Sequence, residues 1–311
     1  MPTRRSTPIE TAQAGAQAII ARKQGRYGAH DTLAPGCRTT LPEDLFMKSA
    51  VLILVTATLS LLSAPPEAAE DPVAKGKAIA QEWDRRNRGF GDTSASLKMI
   101  LENRRGRTSE RKMRIFTLEV PDENDGDKSL VVFDYPRDIK GTALLSYSHI
   151  LKPDDQWLYL PALKRVKRIS SNNKSGPFMG SEFAYEDISS QELKKFQYKW
   201  LRDEPCGKLQ CFVLEQRPLY ENSGYTRQIA WYDKSEYRVQ RIDYYDRKDT
   251  LLKTLRFDKY KKYLGKYWRP HEMYMVNHQT GKKTRLIYEN YKFRTGLKDS
   301  DFTVSRLKRI R

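Results

Sequence analysis

Residues 226–245, TRQIAWYDKSEYRVQRIDYY, decide the fold of this chain. Apolar and polar side chains alternate before and after a polar turn at residues 233–236. Such period-two alternation around a short polar turn indicates two antiparallel strands joined as a hairpin. The predicted strands are residues 226–232 and 237–245.

The same alternating pattern continues outward from this hairpin in both directions. It predicts strands at residues 96–103, 110–120, 128–135, 141–151, 156–160, 165–169, 208–216, 251–263, 267–278 and 284–293, with a last segment at 302–307. A sheet of this size cannot stay flat, because strand twist curls it. We therefore expect a mainly β fold with helices (α+β), in which a large antiparallel sheet curls into an open or closed barrel.

Two helices are predicted within this β pattern. The first spans residues 72–90, with Asp71 as its cap and Pro72 in its first turn. Its apolar stripe, which must pack on something apolar, consists of Val73, Gly76, Ile79, Ala80, Trp83 and Phe90. The second helix is expected to begin near residues 189–190 and to continue through Trp200. The first helix would fill part of the curled sheet.

Residues 47–69 have the layout of a secretory signal peptide: a basic start at Met47 and Lys48, an apolar run, and then small residues and prolines. We expect cleavage near Ala69, export to the periplasm, and one domain over residues 70–311. Residues 1–46 are interpreted as an upstream extension, from a start site placed before the true initiator Met47. The alternative is a disordered cytoplasmic tail in front of a signal anchor.

The chain is strongly basic, with a formal net charge of +18. A basic surface suits nucleic acid, an anionic membrane or acidic ligands. Export argues against nucleic acid and favours an anionic membrane surface. A basic run that could meet lipid headgroups or an acidic partner is formed by Lys164, Arg165, Lys167 and Arg168. The alternative is a solvated edge strand that charge protects from pairing.

Cys206 and Cys211 are separated by a four-residue, turn-like spacer. In an oxidising compartment they could close a hairpin by a disulfide. Their spacing also resembles half of a zinc ribbon, but the sequence has no second cysteine pair to complete one.

Motifs of enzymes are not found. The sequence contains neither G-x-S-x-G nor a Walker A loop, and residues 89–94 imitate a dinucleotide fingerprint without the preceding strand that it requires. His271 and His278 are an odd number of residues apart on a predicted strand, which places their rings on opposite faces. We therefore expect no catalysis, no metal and no cofactor.

Aromatic residues are numerous, with 18 Tyr, 11 Phe and 5 Trp concentrated in the predicted strands. On a curled sheet they suit either an ordinary core or a cavity for acyl chains, which the loop at residues 170–181 would open and close. The predicted lining residues are Trp83, Met99, Leu101, Trp157, Tyr159, Phe178, Met179, Phe183 and Trp231.

Four stretches carry a family resemblance: WLYLPALKRVKRI at 157–169, FMGSEFAYED at 178–187, GFGD at 89–92 and TGLKDSDF at 295–302. Together they resemble the bacterial outer membrane lipoprotein-sorting protein family, periplasmic relatives of the LolA and LolB carriers. The resemblance implies a half-open β-barrel covered by helices and an apolar cavity that takes acyl chains of lipid or lipoprotein. It also implies an alternative role, since some relatives work beside RND/MMPL-type transporters: a non-carrier accessory binding subunit of such an envelope transporter.

Overall fold

The computed structural model describes residues 70–122, 125–150, 152–170 and 173–309. All of these fall within one compact unit of the chain, Ala64–Arg311. The expected signal peptide at 47–69 and the expected extension at 1–46 lie outside the described residues.

The described residues are mainly β, as the alternation predicts. Strands β1 to β15 are, in chain order, Asp92–Glu102, Thr108–Leu118, Asp125–Tyr135, Ala143–His149, Asp155–Leu160, Arg165–Ile169, Phe196–Cys206, Leu209–Pro218, Arg227–Asp233, Val239–Tyr245, Leu251–Asp258, Lys261–Tyr263, Tyr267–Arg269, Glu272–Asn277 and Lys283–Phe293. The α-helices are α1 (Pro72–Asn87), α2 (Tyr185–Ile188) and α3 (Val304–Leu307). Short 3₁₀ helices lie at Pro161–Leu163, Phe178–Gly180, Leu193–Lys195 and Asp299–Asp301.

Thirteen strands form one antiparallel sheet in the order β6-β5-β4-β3-β2-β1-β15-β14-β11-β10-β9-β8-β7, and β12 and β13 form a separate hairpin. Neighbours in this order are mostly neighbours in sequence, as expected for a meander. There are two exceptions. Strand β11 pairs with β14 across the β12–β13 hairpin, and β1 pairs with β15, which joins the two halves of the sheet. Because β6 and β7 remain at opposite edges, the sheet is open rather than closed.

The predicted helix at residues 189–200 is wrong. Only Leu193–Lys195 is helical there, as one 3₁₀ turn, and Phe196 already begins the edge strand β7. Phe196 and Tyr198 are buried and alternate with exposed neighbours, which is the period of a strand. The helix-favouring Glu, Leu, Lys and Gln residues of this segment misled the prediction, because packing overrides such weak propensities.

Four other boundaries differ from expectation. The strand predicted at 251–263 is interrupted at Lys259, whose φ of 57° breaks the extended conformation. The strand predicted at 267–278 is interrupted at Pro270, which lies between β13 and β14. The last segment is helical at Val304–Leu307, and α1 ends at Asn87 rather than at residue 90.

The two faces of the sheet bury different sets of side chains. The inner face carries the largest core, which includes Met99, Phe133 and Leu144 as well as Ile79 of α1. The outer face carries two smaller cores, one beneath Phe302 and Leu307 and one around Val213 and Trp231. Sequence neighbours alternate between these cores, as the pleat of a strand requires.

Helix α1 lies directly on the edge strand β7 at Gly76. A Cβ atom at this position would lie 2.5 Å from the backbone nitrogen of Trp200 and 2.7 Å from the carbonyl carbon of Lys199. Only glycine therefore permits this contact, although it weakens a helix interior.

We expect the substitution Gly76→Ala to destabilise the protein by about 1–3 kcal/mol, because the new methyl group meets backbone that cannot move aside. Free energies of unfolding from urea titrations measure this. Lys77→Ala, at the exposed neighbouring position, is the control and should change stability by less than about 0.5 kcal/mol. A stabilised Gly76→Ala variant, as helix propensity alone would give, contradicts this packing.

Candidate functional site

The predicted lining residues divide between the two faces. Six of them belong to the core of the inner face: Trp83, Met99, Leu101, Phe178, Met179 and Phe183. The other three, Trp157, Tyr159 and Trp231, pack in the outer-face cores instead. Sequence alternation places Trp157 and Tyr159 on one shared face, but it does not say which one. Leu158 between them is the residue that points inward.

The segment at residues 173–188 occupies the inner face. Phe178 and Phe183 are each only 1% exposed, and the Phe178 ring lies 5.8 Å from that of Phe133 and 5.6 Å from that of Tyr185. At this place the inner face is filled by the chain's own aromatic side chains. Met99, the predicted lining residue on β1, is fully buried in the same core.

Segment 173–188 forms its own local structure. Its backbone bonds are largely internal: Phe178 bonds Phe183, Tyr185 bonds Gly176 and Glu186 bonds Lys174. It contributes no strand to the main sheet. What attaches it to the sheet, besides its aromatic packing, is a set of side-chain bonds.

The most deeply buried attachment is the ion pair between Lys253 of β11 and Asp187 of α2. Their charged atoms are 2.6 Å apart, and the two side chains are 4% and 3% exposed. Lys253 also donates to the carbonyl oxygen of Glu182 at 2.9 Å, and the Tyr225 hydroxyl donates to Asp187 at 2.8 Å. Arg111 donates to the carbonyl oxygen of Met179.

A second carboxylate, Glu186, fixes the segment to the loop before β9. It accepts from the Gly224 amide at 2.9 Å and from the Ser223 hydroxyl at 2.9 Å. Burial, and then the neighbouring Asp187, raise the pKa of Glu186 above its ordinary value. Burial likewise lowers the pKa of Lys174, whose ammonium lies 4.0 Å from the centre of the Tyr220 ring.

We expect Lys253→Met to destabilise the protein by about 3 kcal/mol or more, since it leaves the buried Asp187 carboxylate without its cation. The thermal midpoint and urea titrations measure this. Lys248→Met, which replaces an exposed lysine with the same side chain, should be near neutral. Equal stability of the two variants would contradict a structural role for the pair.

Two clefts flank the C-terminal half of α1, and Trp83, Asn87 and Arg269 line both. Cleft A, with a volume of about 590 Å³, lies between α1 and the region of Phe90, Asp127 and Tyr288. Cleft B, with a volume of about 530 Å³, lies between α1 and the region of Arg238, Tyr260 and Trp268. Both volumes are in the range of small-molecule sites.

Cleft A contains a carboxyl group, that of Asp127, which is a much weaker acid than usual. Burial, and next the neighbouring Glu192 carboxylate, raise the pKa of Asp127 from 3.8 to about 7. The Val120 amide donates to Asp127 at 3.2 Å and partly offsets this rise. Asp127 is therefore largely protonated in the folded protein at pH 5.

The raised pKa of Asp127 makes stability fall as the pH rises from about 4 to 7, because the unfolded chain releases this proton first. We expect Asp127→Asn to match the wild type at pH 4 and to be more stable at pH 8, on the order of 2 kcal/mol. Urea titrations at both pH values measure this. Asp138→Asn, at an exposed site, should show no such difference between the two pH values.

The predicted basic rim lies elsewhere. Arg165, Lys167 and Arg168 are exposed on the edge strand β6, and Lys164 is exposed just before it. None of the four lines cleft A or cleft B. Arg168 forms an ion pair with Asp155 on the neighbouring strand β5. The strip thus lies on an exposed sheet edge, which fits both a surface for anionic headgroups and a solvated edge that charge protects from pairing.

Cys206 and Cys211 form a disulfide with Cα atoms 5.8 Å apart, at the turn between β7 and β8. Within the described ranges, no group of three or more His, Cys, Asp or Glu side chains is arranged to bind a metal ion. Of the helices in this part of the chain, none is both long and apolar enough to span a membrane.

Sequence reasoning missed Lys253 and Arg269. The sequence does contain a signal for Lys253. It is two residues from the buried Leu255 on a strand, so both side chains lie on the same buried face, and a cation on a buried face requires a partner. No comparable signal marks Arg269, since the residues around it come from distant parts of the chain.

Solved structures of other proteins share this fold. A LolA superfamily protein from Nitrosomonas europaea, 21% identical, has this fold with a TM-score of 0.61 over 74% of this chain and 98% of its own. A DUF1329 family protein from Desulfovibrio piger is 32% identical, with a TM-score of 0.72 over 76% of this chain and 99% of its own.

An outer membrane lipoprotein-sorting protein domain from Vibrio parahaemolyticus is 56% identical, with a TM-score of 0.74 over 76% of this chain and 99% of its own. A family model described as "-like: Uncharacterized protein" matches residues 125–309. No curated protein sequence matches the chain. This chain belongs to the outer membrane lipoprotein-sorting protein family, which confirms the resemblance found in the sequence.

Proposed function

We propose that this protein is a periplasmic carrier that binds acyl chains of lipid or lipoprotein and transfers them towards the outer membrane. The observation that carries the proposal is the construction of the inner face. An apolar core is closed by segment 173–188, which is not a strand of the sheet, and clefts A and B open beside it at Trp83.

Acyl chains need no polar partners, and their burial contributes about 0.8 kcal/mol for each CH₂ group removed from water. The cargo would enter beside α1 and replace the aromatic side chains of segment 173–188 on the sheet. That replacement is feasible because the segment keeps its internal backbone bonds when it moves, so only the side-chain attachments to the sheet must break.

The periplasmic location rests on three supports. The sequence of residues 47–69 predicts export, a disulfide such as Cys206–Cys211 is typical of an oxidising compartment, and the relative from Vibrio parahaemolyticus is a lipoprotein-sorting domain. We propose no catalytic role.

The test is native mass spectrometry of residues 70–311, purified from a periplasm without detergent, together with lipid extraction of the same sample. We expect a bound acyl lipid. Trp83→Ala should lower uptake about fivefold, because Trp83 lines both clefts and its ring would contact the cargo.

Val73→Ala is the matched control for Trp83→Ala, since Val73 lies on the same helix but is 41% exposed. It should take up lipid as the wild type does. A wild-type protein that stays free of lipid after incubation with lipid dispersions would refute the carrier function.

A second candidate is a non-carrier accessory binding subunit of an RND/MMPL-type envelope transporter. The observation that favours it is the complete burial of Phe178 and Phe183, which fill the inner face without any cargo. A lipid-free protein that forms a stable complex with such a transporter would support this candidate. The exposed basic strip on β6 would then face the anionic membrane surface or an acidic partner.

A further inference from the structure

Arg269, at the end of β13, is a cation without a carboxylate partner among the described residues. Its Nη1 atom donates to the side-chain oxygen of Asn87 and to the carbonyl oxygen of Trp268, both at 3.0 Å. The structure records no hydrogen bond from Nε or Nη2 to the described residues. The guanidinium lies 5.4 Å from the centre of the Phe90 ring and 5.6 Å from that of Phe293.

The surroundings of Arg269 do not compensate for its lost hydration. Burial is the main influence on this group, and it lowers the pKa of Arg269 below its ordinary value. Charges that are withdrawn from water are normally paired, so this half-buried, unpaired guanidinium beside a cleft calls for an anion.

A second donor without a partner lies next to Arg269. The indole Nε1–H of Trp268 is enclosed and makes no hydrogen bond within the described part of the chain. Trp268 and Arg269 both line cleft B. Buried donors are almost always satisfied in folded proteins, so this donor is an exception. Its nitrogen is enclosed, and Trp268 precedes Arg269 on strand β13, so the indole N–H and the guanidinium do not face the same ligand.

Cleft B is lined by more cations than carboxylates. Arg85 and Arg86 pair with Glu82 and Arg238 pairs with Asp233, so Arg269 is the lining arginine without a carboxylate partner among the described residues. Six cations line the cleft: Arg85, Arg86, Arg238, Lys262, Lys266 and Arg269. Its one lining carboxylate, Glu236, is already shared by Arg86 at 3.4 Å and Lys262 at 3.5 Å. Aromatic rings, among them Trp83 and Tyr260, form much of the remaining wall.

We propose that cleft B binds a phosphate group, with the Arg269 guanidinium as its principal donor. For a lipid cargo, the phosphate site rests on the proposed carrier function, and it restricts the cargo to lipids that carry a phosphate group. The same chemistry would also recognise a free phosphate ester. Several cations around one cleft match a phosphate better than a neutral headgroup, which would leave the Arg269 guanidinium without a charged partner.

The experiment compares two ligands that share their acyl chains: dioleoylphosphatidic acid and dioleoylglycerol, each offered as a dispersion to residues 70–311 and quantified by native mass spectrometry. We expect the wild type to bind the phosphate-bearing lipid about tenfold more than dioleoylglycerol, which is the effect of a charge-assisted hydrogen bond. Equal binding of the two lipids would overturn the proposal.

Three variants locate the phosphate. Arg269→Gln should remove the preference for phosphatidic acid, and Trp268→Phe, which keeps a ring and loses only an enclosed N–H, should retain it. Asn87→Ala breaks the same tether to α1 but keeps the guanidinium, so it should retain the preference. Arg105→Gln, at an exposed turn, is the control. An Arg269→Gln variant that keeps the preference, or an Asn87→Ala variant that loses it equally, would overturn the assignment.

Calorimetric titration with glycerol 3-phosphate separates this inference from the carrier function. If neither lipid binds, the carrier function is refuted and the titration alone decides. Binding of glycerol 3-phosphate that Arg269→Gln abolishes would then support a site for a free phosphate ester, whereas no binding to the wild type would overturn the phosphate site as well.

Discussion

The pairing of β1 with β15 holds this structure together. It pairs Thr93 with Phe293 and Glu102 with Lys283. Two strands from nearly opposite ends of the described sequence therefore lie side by side. The other pairings of the main sheet are largely between strands that follow one another closely. Without this one contact, the sheet would be two separate meanders, β1–β6 and β7–β15. Such a contact must meet a large loop-closure cost before it contributes stability.

Asp92 reinforces this junction where helix α1 passes into β1. Its backbone carbonyl accepts from the Arg294 amide, and its carboxylate accepts from the Thr295 and Gly296 amides. Nearby, the β12–β13 hairpin donates to the end of α1, from Lys266 to the carbonyl of Arg88 and from Tyr267 to the carbonyl of Gly89. The helix end and both clefts are therefore positioned by residues from opposite ends of the domain.

The elements that could be predicted from the sequence are those whose signal is local. Period-two alternation located nearly every strand, and the stretches at 157–169 and 178–187 identified the family from their residues alone. The face on which each alternating residue lies could not be predicted, because alternation does not say which face the core will cover. Trp157 and Trp231 follow the alternation, but they lie on the outer face. Arg269 could not be predicted, because its neighbours Asn87, Phe90 and Phe293 meet it only through the long-range junction.

The two clefts share a wall but differ in charge. Cleft A holds Asp127 and Glu192, whose mutual repulsion is relieved by a proton as long as the pH stays below about 7. Cleft B holds six cations against one shared carboxylate.

An amphiphile that enters beside Trp83 therefore meets opposite fields on the two sides of α1. Its phosphate would be drawn to Arg269 in cleft B, and its apolar part would be left to the aromatic walls and to the core beneath segment 173–188. Loss of the Asp127 proton at higher pH makes cleft A more negative and sharpens this orientation. If the protein is the proposed carrier, this asymmetry around one helix would let an otherwise non-directional apolar site bind its cargo in a single orientation.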